Sequence, residues 1–165
     1  MIPRYSLPEI AELFTDEARF GAWLEVEILA VEAWSRLGVI PAADARTVRD
    51  RAGFDVDAIL EREKITEHDV AAFVDVVQER VGMPAGAWVH YGLTSSDVVD
   101  TALALQMTRA LDRIIPAAAA LEAAITRRAH EYRTTPMGGR THGIHAEPTT
   151  FGAKLARSEE HTSEL

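Results

Sequence analysis

The chain has 165 residues and a net charge of −9, and 47% of its residues are hydrophobic while 26% are charged. This composition is typical of a soluble globular protein, and the length suggests one domain, or one domain and part of another. The chain contains no cysteine, which excludes disulfides and thiolate metal sites. The acidic balance also argues against a nucleic-acid partner, because such proteins normally carry a basic face.

The sequence predicts neither a secretory signal nor a membrane segment. Its first residues lack the basic stretch and apolar stretch of a signal peptide. No run of about 18 apolar residues occurs, so no membrane partner is expected. The absence of cysteine is compatible with a reducing compartment, and we expect a cytoplasmic protein.

A helical period dominates the first part of the chain. Thr15 or Asp16 can cap the first long helix, and Gly38 can end it. One apolar stripe at spacings of three and four runs along this helix. The stripe comprises Phe20, Trp23, Leu24, Ile28, Val31 and Trp34.

Three shorter helices are predicted next. One runs from Pro41 to near Gly53, and another covers about residues 56–62. Residues 66–69 have the spacing of a capping box with Asp in place of Glu, so the third helix starts there and ends at Gly82. Its apolar stripe comprises Val70, Phe73, Val74, Val77 and Val81.

The longest predicted helix starts at Ser95 or Ser96 and continues to about Tyr132. Its roughly 37 residues would span about 55 Å at 1.5 Å per residue. Pro116 lies inside this helix and should bend it or split it. A helix of this length needs other long helices beside it, either in the same chain or from other subunits.

The expected fold class is all-α, because strand signals are nearly absent. A small helical N-terminal domain covers 1–91, and the start of a truncated helical-bundle domain covers 92–156, with a new helix from about Pro148. The apolar pattern then stops. Read as codons, residues 157–165 match a common sequencing adapter, so we interpret them as a non-native tail and the chain as an N-terminal fragment. A genuine polar tail is the alternative.

The segment 140–150 combines two imidazoles, a guanidinium and three hydroxyls between two predicted helices. A polar loop held by rigid helices is a favourable place for a catalytic group. His142 is the candidate acid, because imidazole can deliver a proton near neutral pH. Gly143 would let the backbone turn close to a ligand, and Gly138-Gly139 indicates a turn. The alternative is a capped loop whose histidines bind backbone groups, and His145 fits that interpretation.

A second constellation lies at 88–97, where hydroxyls meet the start of the long helix. Free N–H groups and the helix dipole make such a place suitable for an anion. Ser95, Ser96 or Asp97 could equally serve as the N-cap of the helix. The two interpretations are compatible, because a cap can also bind an anion.

Two further pairs are weaker when taken alone. His68 and Asp69 follow Glu67 in the first turn of a helix, where a histidine is unremarkable. Arg4 and Tyr5 offer a guanidinium fork and a hydroxyl, which together suit a phosphate. An arginine near a terminus is, however, usually solvated. No His-x-x-x-His or cysteine cluster occurs, so no metal site is expected.

The pattern Thr141-His142-Gly143, followed by Pro148-Thr149-Thr150, resembles a substrate-binding region of the fumarase/aspartase superfamily. This resemblance implies a β-elimination without a cofactor, with His142 as the general acid and His68 assisting it. It further implies that substrate is bound by Arg4, Tyr5, Asp69, His90, Thr94, Ser95 and Thr141. In the family members a basic residue precedes the His-Asp pair, whereas Glu67 stands here.

The resembling motifs extend over nearly all of residues 1–156 and favour the branch of the superfamily that acts on succinylated purine nucleotides. The substrate implied is a nucleotide with a succinyl group, and the complete protein is expected to be a homotetramer with sites built from three subunits. The family's base is a serine near a Met-Pro-x-Lys-x-Asn signature, which this sequence lacks. We therefore expect negligible lyase activity from this chain alone. The alternatives are another lyase or a cycloisomerase of the superfamily, or a non-catalytic helical interaction module.

Overall fold

A computed structural model describes residues 2–163, which form mostly α-helices joined by short connections. Over these residues the α-helices are α1 (Pro8–Ala11), α2 (Asp16–Arg36), α3 (Ala42–Arg51), α4 (Val56–Thr66), α5 (Asp69–Val81), α6 (Ser95–Glu131) and α7 (Phe151–Ser163). Two antiparallel strands, β1 (Pro136–Thr141) and β2 (Ile144–Thr150), form the sheet, and 3-10 turns lie at Pro3–Tyr5, Glu12–Phe14 and Ala85–Trp88. The predicted all-α class is confirmed.

The chain divides into two compact units, Met1–Ala110 and Leu111–Leu165, and the division falls within α6. The domain boundary after Tyr91 stays a prediction. The tail predicted at 157–165 extends past the last described residue, and its origin also stays a prediction. Among the described residues, no helix has the length and apolar character needed to cross a membrane.

An aromatic cluster joins α2 to α5 in the core of the first unit. The rings of Phe20 and Phe73 stack with their centroids 5.9 Å apart, and Trp23 meets both of them edge-on at 5.2 and 5.5 Å. All three side chains are at least 97% buried. Burial of an apolar side chain contributes about 1.5–3 kcal/mol, so the predicted stripes of the two helices hold this unit together.

Of the helix starts α2 and α5, the first agrees with its prediction and the second does not. Thr15 caps α2 as predicted, since its Oγ1 accepts the N–H of Ala18 at 3.2 Å. The capping box predicted at Thr66 is wrong, because Thr66 is the last residue of α4 and His68 caps α5. Glu67 between them has a φ of 50°. Glu67 is the C-cap of α4 and His68 is the N-cap of α5, so consecutive residues end one helix and begin the next.

α6 is a single helix of 37 residues, as predicted in length. Pro116 lies inside it without splitting it, and the predicted alternative, a bend at Pro116, stays a prediction. A proline removes one backbone hydrogen bond. The alanine and leucine residues after Pro116 are strong helix formers and keep the helix continuous.

The second unit contains a β-hairpin where a loop was predicted. β1 and β2 pair from Pro136↔Thr150 to Thr141↔Ile144, with an irregularity between Gly138 and Arg140. The turn is His142-Gly143, whose φ values of 50° and 78° match the positive-φ turns that hairpins prefer. The turn predicted at Gly138-Gly139 is therefore wrong. Gly139 lies inside β1, where an added Cβ would collide with the carbonyl oxygen of Glu147.

α7 begins close to the end of α6, near the predicted start. Thr150 caps α7, because its Oγ1 accepts the N–H of Ala153 at 3.1 Å. The rings of Tyr132 and Phe151 lie 5.2 Å apart, and an added Cβ at Gly152 would collide with the backbone of α6. The hairpin is thus anchored between two helix ends within this unit.

Candidate active site

The start of α6 brings two of the predicted substrate-binding motifs together. Oγ of Ser95, the first residue of α6, lies 3.4 Å from Nε2 of His68. His68 caps α5 by accepting the N–H of Ala71 on Nδ1, also at 3.4 Å. A neutral imidazole with an accepting Nδ1 carries its proton on Nε2. The ring therefore donates to Ser95, and residues far apart in sequence share one hydrogen bond.

Asp69 supports the first turn of α5. Its Oδ1 accepts the N–H of Val70 at 2.7 Å, and a carboxylate at a helix N-terminus also interacts favourably with the helix dipole. The same oxygen lies 3.5 Å from Nδ1 of His68. Because that nitrogen accepts the N–H of Ala71, we interpret the separation as proximity and not as a hydrogen bond.

Thr94 and Asp97 form the cap of α6. The backbone N–H of Thr94, the residue before the helix, donates to Oδ2 of Asp97 at 2.8 Å. This is the reach-back contact of a capping box, with the acid at the third helical position. The prediction that Ser95, Ser96 or Asp97 is the N-cap residue is wrong, because all three lie inside the helix. Thr94 is exposed and Ser95 is half-buried.

His90 is held by Glu27, which the sequence analysis did not single out. Oε2 of Glu27 accepts the backbone N–H of His90 at 2.8 Å, and Oε1 lies 2.6 Å from Nδ1 of the imidazole. Glu27 is 1% exposed, whereas 24% of the His90 side chain is exposed. A signal was present in the sequence, since Glu27 is an acid within the apolar stripe that includes Leu24 and Ile28. Acids at such positions are rarely buried without a partner.

The backbone on both sides of His90 is held in the same way. Nε2 of Gln78 on α5 donates to the carbonyl of Val89 at 3.1 Å. Nε1 of Trp34 on α2 donates to the carbonyl of Tyr91, also at 3.1 Å. Three consecutive residues are therefore fixed by side chains from two helices of the core.

Among the described residues, the non-glycine residues with a positive φ are Glu67, His90 and His142, at 50°, 69° and 50°. This region costs a non-glycine residue about 1–2 kcal/mol. Two of the three are predicted site histidines, and the third directly precedes His68. Such strained residues tend to cluster at functional sites, and the assignment of His90 and His142 to the site stays a prediction.

Thr141 and His142 belong to the second unit, where they lie at the end of the hairpin. Thr141 is the last residue of β1 and His142 is the first residue of the turn. Both residues are exposed. The other hairpin histidine, His145, pairs across the sheet with Arg140.

A groove of about 840 Å³ lies between the hairpin and α7. Two cationic side chains and one acid before the predicted tail line it, namely Arg140, Lys154 and Glu147, and Arg157 of the predicted tail lines it as well. This excess of positive charge suits an anionic ligand.

Arg4 and Tyr5 form a pair in the 3-10 turn near the start of the chain. The guanidinium of Arg4 lies 4.8 Å from the centre of the Tyr5 ring, which is a cation–π distance. Tyr5 is 73% exposed. Both side chains are accessible to a ligand, and the contact between them brings the fork and the hydroxyl close together.

Among the side chains that the structure describes, no group of three histidine or acidic residues is arranged to hold a metal ion. Apart from the carboxylate of Asp69, the polar groups of the predicted site are hydroxyls, imidazoles, backbone N–H groups and the guanidinium of Arg4. Donors of these types suit carboxylate and phosphate oxygens.

The chain matches the model of the lyase family over residues 4–164 and therefore belongs to that family. The family resemblance predicted from the sequence is confirmed. Adenylosuccinate lyase from Bacillus subtilis is 55% identical to this chain over 156 residues, which are 94% of this chain and 36% of that protein. The adenylosuccinate lyases from Staphylococcus saprophyticus and Streptococcus mutans are each 51% identical over the same lengths. The chain thus spans just over one third of these relatives.

Solved structures share the fold. A fumarate lyase from a Mesorhizobium species has a TM-score of 0.85 and 29% identity, with 94% of this chain and 37% of that chain covered. A β-carboxy-cis,cis-muconate cycloisomerase from Acinetobacter calcoaceticus has the same score and identity, with 96% and 38% covered. The helical framework is therefore common to enzymes whose names indicate different reactions.

Proposed function

We propose that this chain supplies part of the active site of an adenylosuccinate lyase. The reaction releases fumarate from adenylosuccinate to give AMP, and from the succinyl-carboxamide ribotide of purine biosynthesis. The observation that carries the proposal is the contact between His68 and Ser95, which joins two separately predicted substrate-binding motifs. The 51–55% identity to three adenylosuccinate lyases supports the choice of substrate.

The proposed chemistry is a β-elimination. A base removes a proton from the succinyl carbon next to a carboxylate, and the freed electron pair forms the carbon–carbon double bond of fumarate. The carbon–nitrogen bond breaks, and His142 gives a proton to the departing amino nitrogen. An acid at this step removes the need to expel an unstable anion.

The start of α6 is the proposed site for the succinyl carboxylates. Thr94 and Ser95 carry hydroxyls there, and the N-terminus of a helix favours an anion. His68 would orient the Ser95 hydroxyl through its Nε2–H and so help to place the substrate against the acid. Asp69 would maintain this arrangement by fixing the first turn of α5.

The remaining predicted residues are assigned to the nucleotide. Arg4 and Tyr5 would grip the phosphate as a fork and a hydroxyl, and His90 would lie near the same phosphate. Thr141 would donate a hydrogen bond to a carboxylate or phosphate oxygen beside His142.

The complete protein is proposed to be a homotetramer whose long helices form a shared core. One face of α6 exposes large apolar side chains, which would be unfavourable in water over such a length. They are Leu103, Met107, Leu111, Ile114, Ile115 and Leu121. We expect the isolated chain to self-associate at micromolar concentration. A monodisperse monomer by light scattering would contradict this assignment.

A chimeric enzyme tests the proposed function. Residues 1–156 of this chain would replace the matched segment of the Bacillus subtilis relative, and fumarate release from adenylosuccinate would be followed. We expect turnover by the chimera and negligible turnover by the 165-residue chain alone, because the family's base signature is absent from it. A folded chimera without turnover would contradict the proposed function. Turnover by the isolated chain would contradict the expectation that it lacks the base.

The role of His142 is tested in the same chimera. We expect His142→Asn to lower kcat by about 10²–10⁴-fold, the usual contribution of a positioned acid. His145→Asn is the matched control, since it alters the other imidazole of the same hairpin. Equal kcat for the two variants, with an intact fold, would favour a non-catalytic helical module.

A cycloisomerase or another lyase is the second candidate, because solved structures with those names share the framework at 29% identity. Offering the chimera argininosuccinate as well as adenylosuccinate separates the lyases. We expect a strong preference for adenylosuccinate, since the nucleotide phosphate has proposed ligands here.

A further inference from the structure

Glu27 is a buried acid that uses both of its oxygens on a single residue. It lies on α2, deep in the first unit, and binds the backbone N–H and the ring of His90 at 2.8 and 2.6 Å. A buried acid without hydrogen-bonding partners would be strongly destabilising. A merely structural acid could have been satisfied by backbone groups, but here one oxygen is directed at an imidazole.

The contact decides which nitrogen of His90 is left for a ligand. The backbone N–H is always a donor, so Oε2 must accept. A carboxylate oxygen at Oε1 likewise accepts, which requires the proton on Nδ1. Nε2 then remains as the ring nitrogen that can meet a ligand, and 24% of the His90 side chain is exposed.

The surrounding contacts make the orientation rigid. Gln78 and Trp34 bind the carbonyls on either side of His90, and His90 itself has a φ of 69°. A strained backbone persists when its surroundings determine it from several directions. The ring can therefore turn little, since its backbone and its Nδ1 are both fixed.

We propose that Glu27 is a positioning residue of the lyase site: it fixes His90 as the Nδ1–H tautomer and presents Nε2 as a hydrogen-bond acceptor to an O–H or N–H donor of the nucleotide substrate. This assignment rests on the proposed function. Acids that orient a functional imidazole through its other nitrogen are a common device, and their loss typically costs about 10–100-fold in affinity or activity.

Nuclear magnetic resonance of the ¹⁵N-histidine-labelled 165-residue chain tests the tautomer without any substrate. In the unaltered chain we expect the proton of His90 on Nδ1. In Glu27→Gln the single carbonyl oxygen must still accept the backbone N–H, so the amide NH₂ faces Nδ1 and the proton should move to Nε2. A proton on Nε2 in the unaltered chain would overturn the proposal, even if the variant failed to fold.

Kinetics of the chimera test the positioning role. We expect Glu27→Gln to raise KM for adenylosuccinate about 10-fold or more, whereas Glu25→Gln on the same helix should leave it unchanged. Glu25 is the matched control because its partner is Arg109 at the surface. In a His90→Ala background the effect of Glu27→Gln should disappear, since the ring it orients is absent.

The outcomes separate the two proposals. A chimera without turnover contradicts the proposed function but leaves the resonance experiment as an independent test of Glu27. An active chimera whose KM responds equally to Glu27→Gln and Glu25→Gln overturns the positioning role. An undiminished effect of Glu27→Gln in the His90→Ala background would identify Glu27 as a structural acid and would also overturn it.

Discussion

His90 and His142 show two ways of holding a histidine. In the first unit His90 is bound by a buried acid, and its neighbours are bound by side chains of α2 and α5. In the second unit His142 is an exposed residue in a two-residue turn. Side-chain contacts from a packed core fix the first, whereas the backbone of the hairpin fixes the second. The comparison shows that a left-handed backbone is compatible with either arrangement.

The substitution with the largest expected effect tests whether the core of the first unit provides most of the free energy of unfolding. Phe73→Ala removes a fully buried ring from the aromatic cluster, and we expect a loss of about 3–5 kcal/mol in the free energy of unfolding. Arg127→Ala, at an exposed position of α6 in the second unit, is the control and should change it by no more than about 0.5 kcal/mol. Urea unfolding measures the free energy of unfolding of both variants. Similar losses in the two would contradict the dominant role of the first unit.

The hairpin should be sensitive at one glycine and tolerant at its neighbour. Gly139→Ala places a methyl group against the carbonyl of Glu147, whereas a Cβ at Gly138 would lie 3.6 Å from Nδ1 of His145, an ordinary contact. We expect Gly139→Ala to cost the hairpin about 1–3 kcal/mol and Gly138→Ala to cost less. Hydrogen exchange of the backbone amides in β1 and β2 measures the stability of the hairpin. Equal protection in the two variants would contradict the expected difference between Gly138 and Gly139.

A third pair of variants separates the backbone role of His142 from its proposed acid role. His142→Val should destabilise the turn by about 1–2 kcal/mol, because a β-branched residue tolerates a positive φ poorly. His142→Asn should keep the hairpin, since asparagine adopts this conformation readily. Cross-strand nuclear Overhauser effects between Thr141 and Ile144 report the result. Loss of these signals in the Asn variant would show that the imidazole itself holds the turn.

The smallest expected effect concerns Glu32, a partly exposed acid on the same helix as Glu27. The hydrogen bond from Arg49, 2.6 Å long, lowers the pKa of the Glu32 carboxyl below its usual value. A carboxyl whose pKa is lower in the folded state stabilises the fold at pH values above its unfolded pKa of about 4.3. The stabilisation is lost as the pH falls through the lower folded value.

Glu32→Gln should therefore cost about 0.2–1 kcal/mol at neutral pH, as is usual for an exposed pair. The difference from the unaltered chain should shrink towards zero as the solution is acidified below about pH 4. Thermal unfolding at several pH values measures it. A difference that persists in acid would mean that Glu32 acts through packing and not through its charge.

The sequence predicted the helices of the first unit well, because their apolar stripes repeat over many residues. α4 continued beyond the predicted 62 to Thr66, since helix ends depend on local capping. The cap of α5 was missed because histidine is not among the usual N-cap residues. His68 nevertheless caps α5, with a ring nitrogen as the hydrogen-bond acceptor.

The hairpin could not be predicted in the same way. Pairing of β1 with β2 depends on contacts across the turn, and the two glycines at 138–139 suggested a turn that the structure places at His142-Gly143. The role of Glu27 escaped for a related reason. Its position in the apolar stripe of α2 indicated burial, but its partner lies 63 residues away.

The buried carboxylate of Glu27 also determines how α2 can be rotated. One residue of helix corresponds to about 100° of rotation, so a shift of α2 by a single position would carry the Glu27 carboxylate away from both donors of His90. The hydrogen bonds from the two donors of His90 thus fix the rotation of α2 about its own axis. A core substitution that rotates α2 about its axis, even slightly, would therefore also move the imidazole of His90.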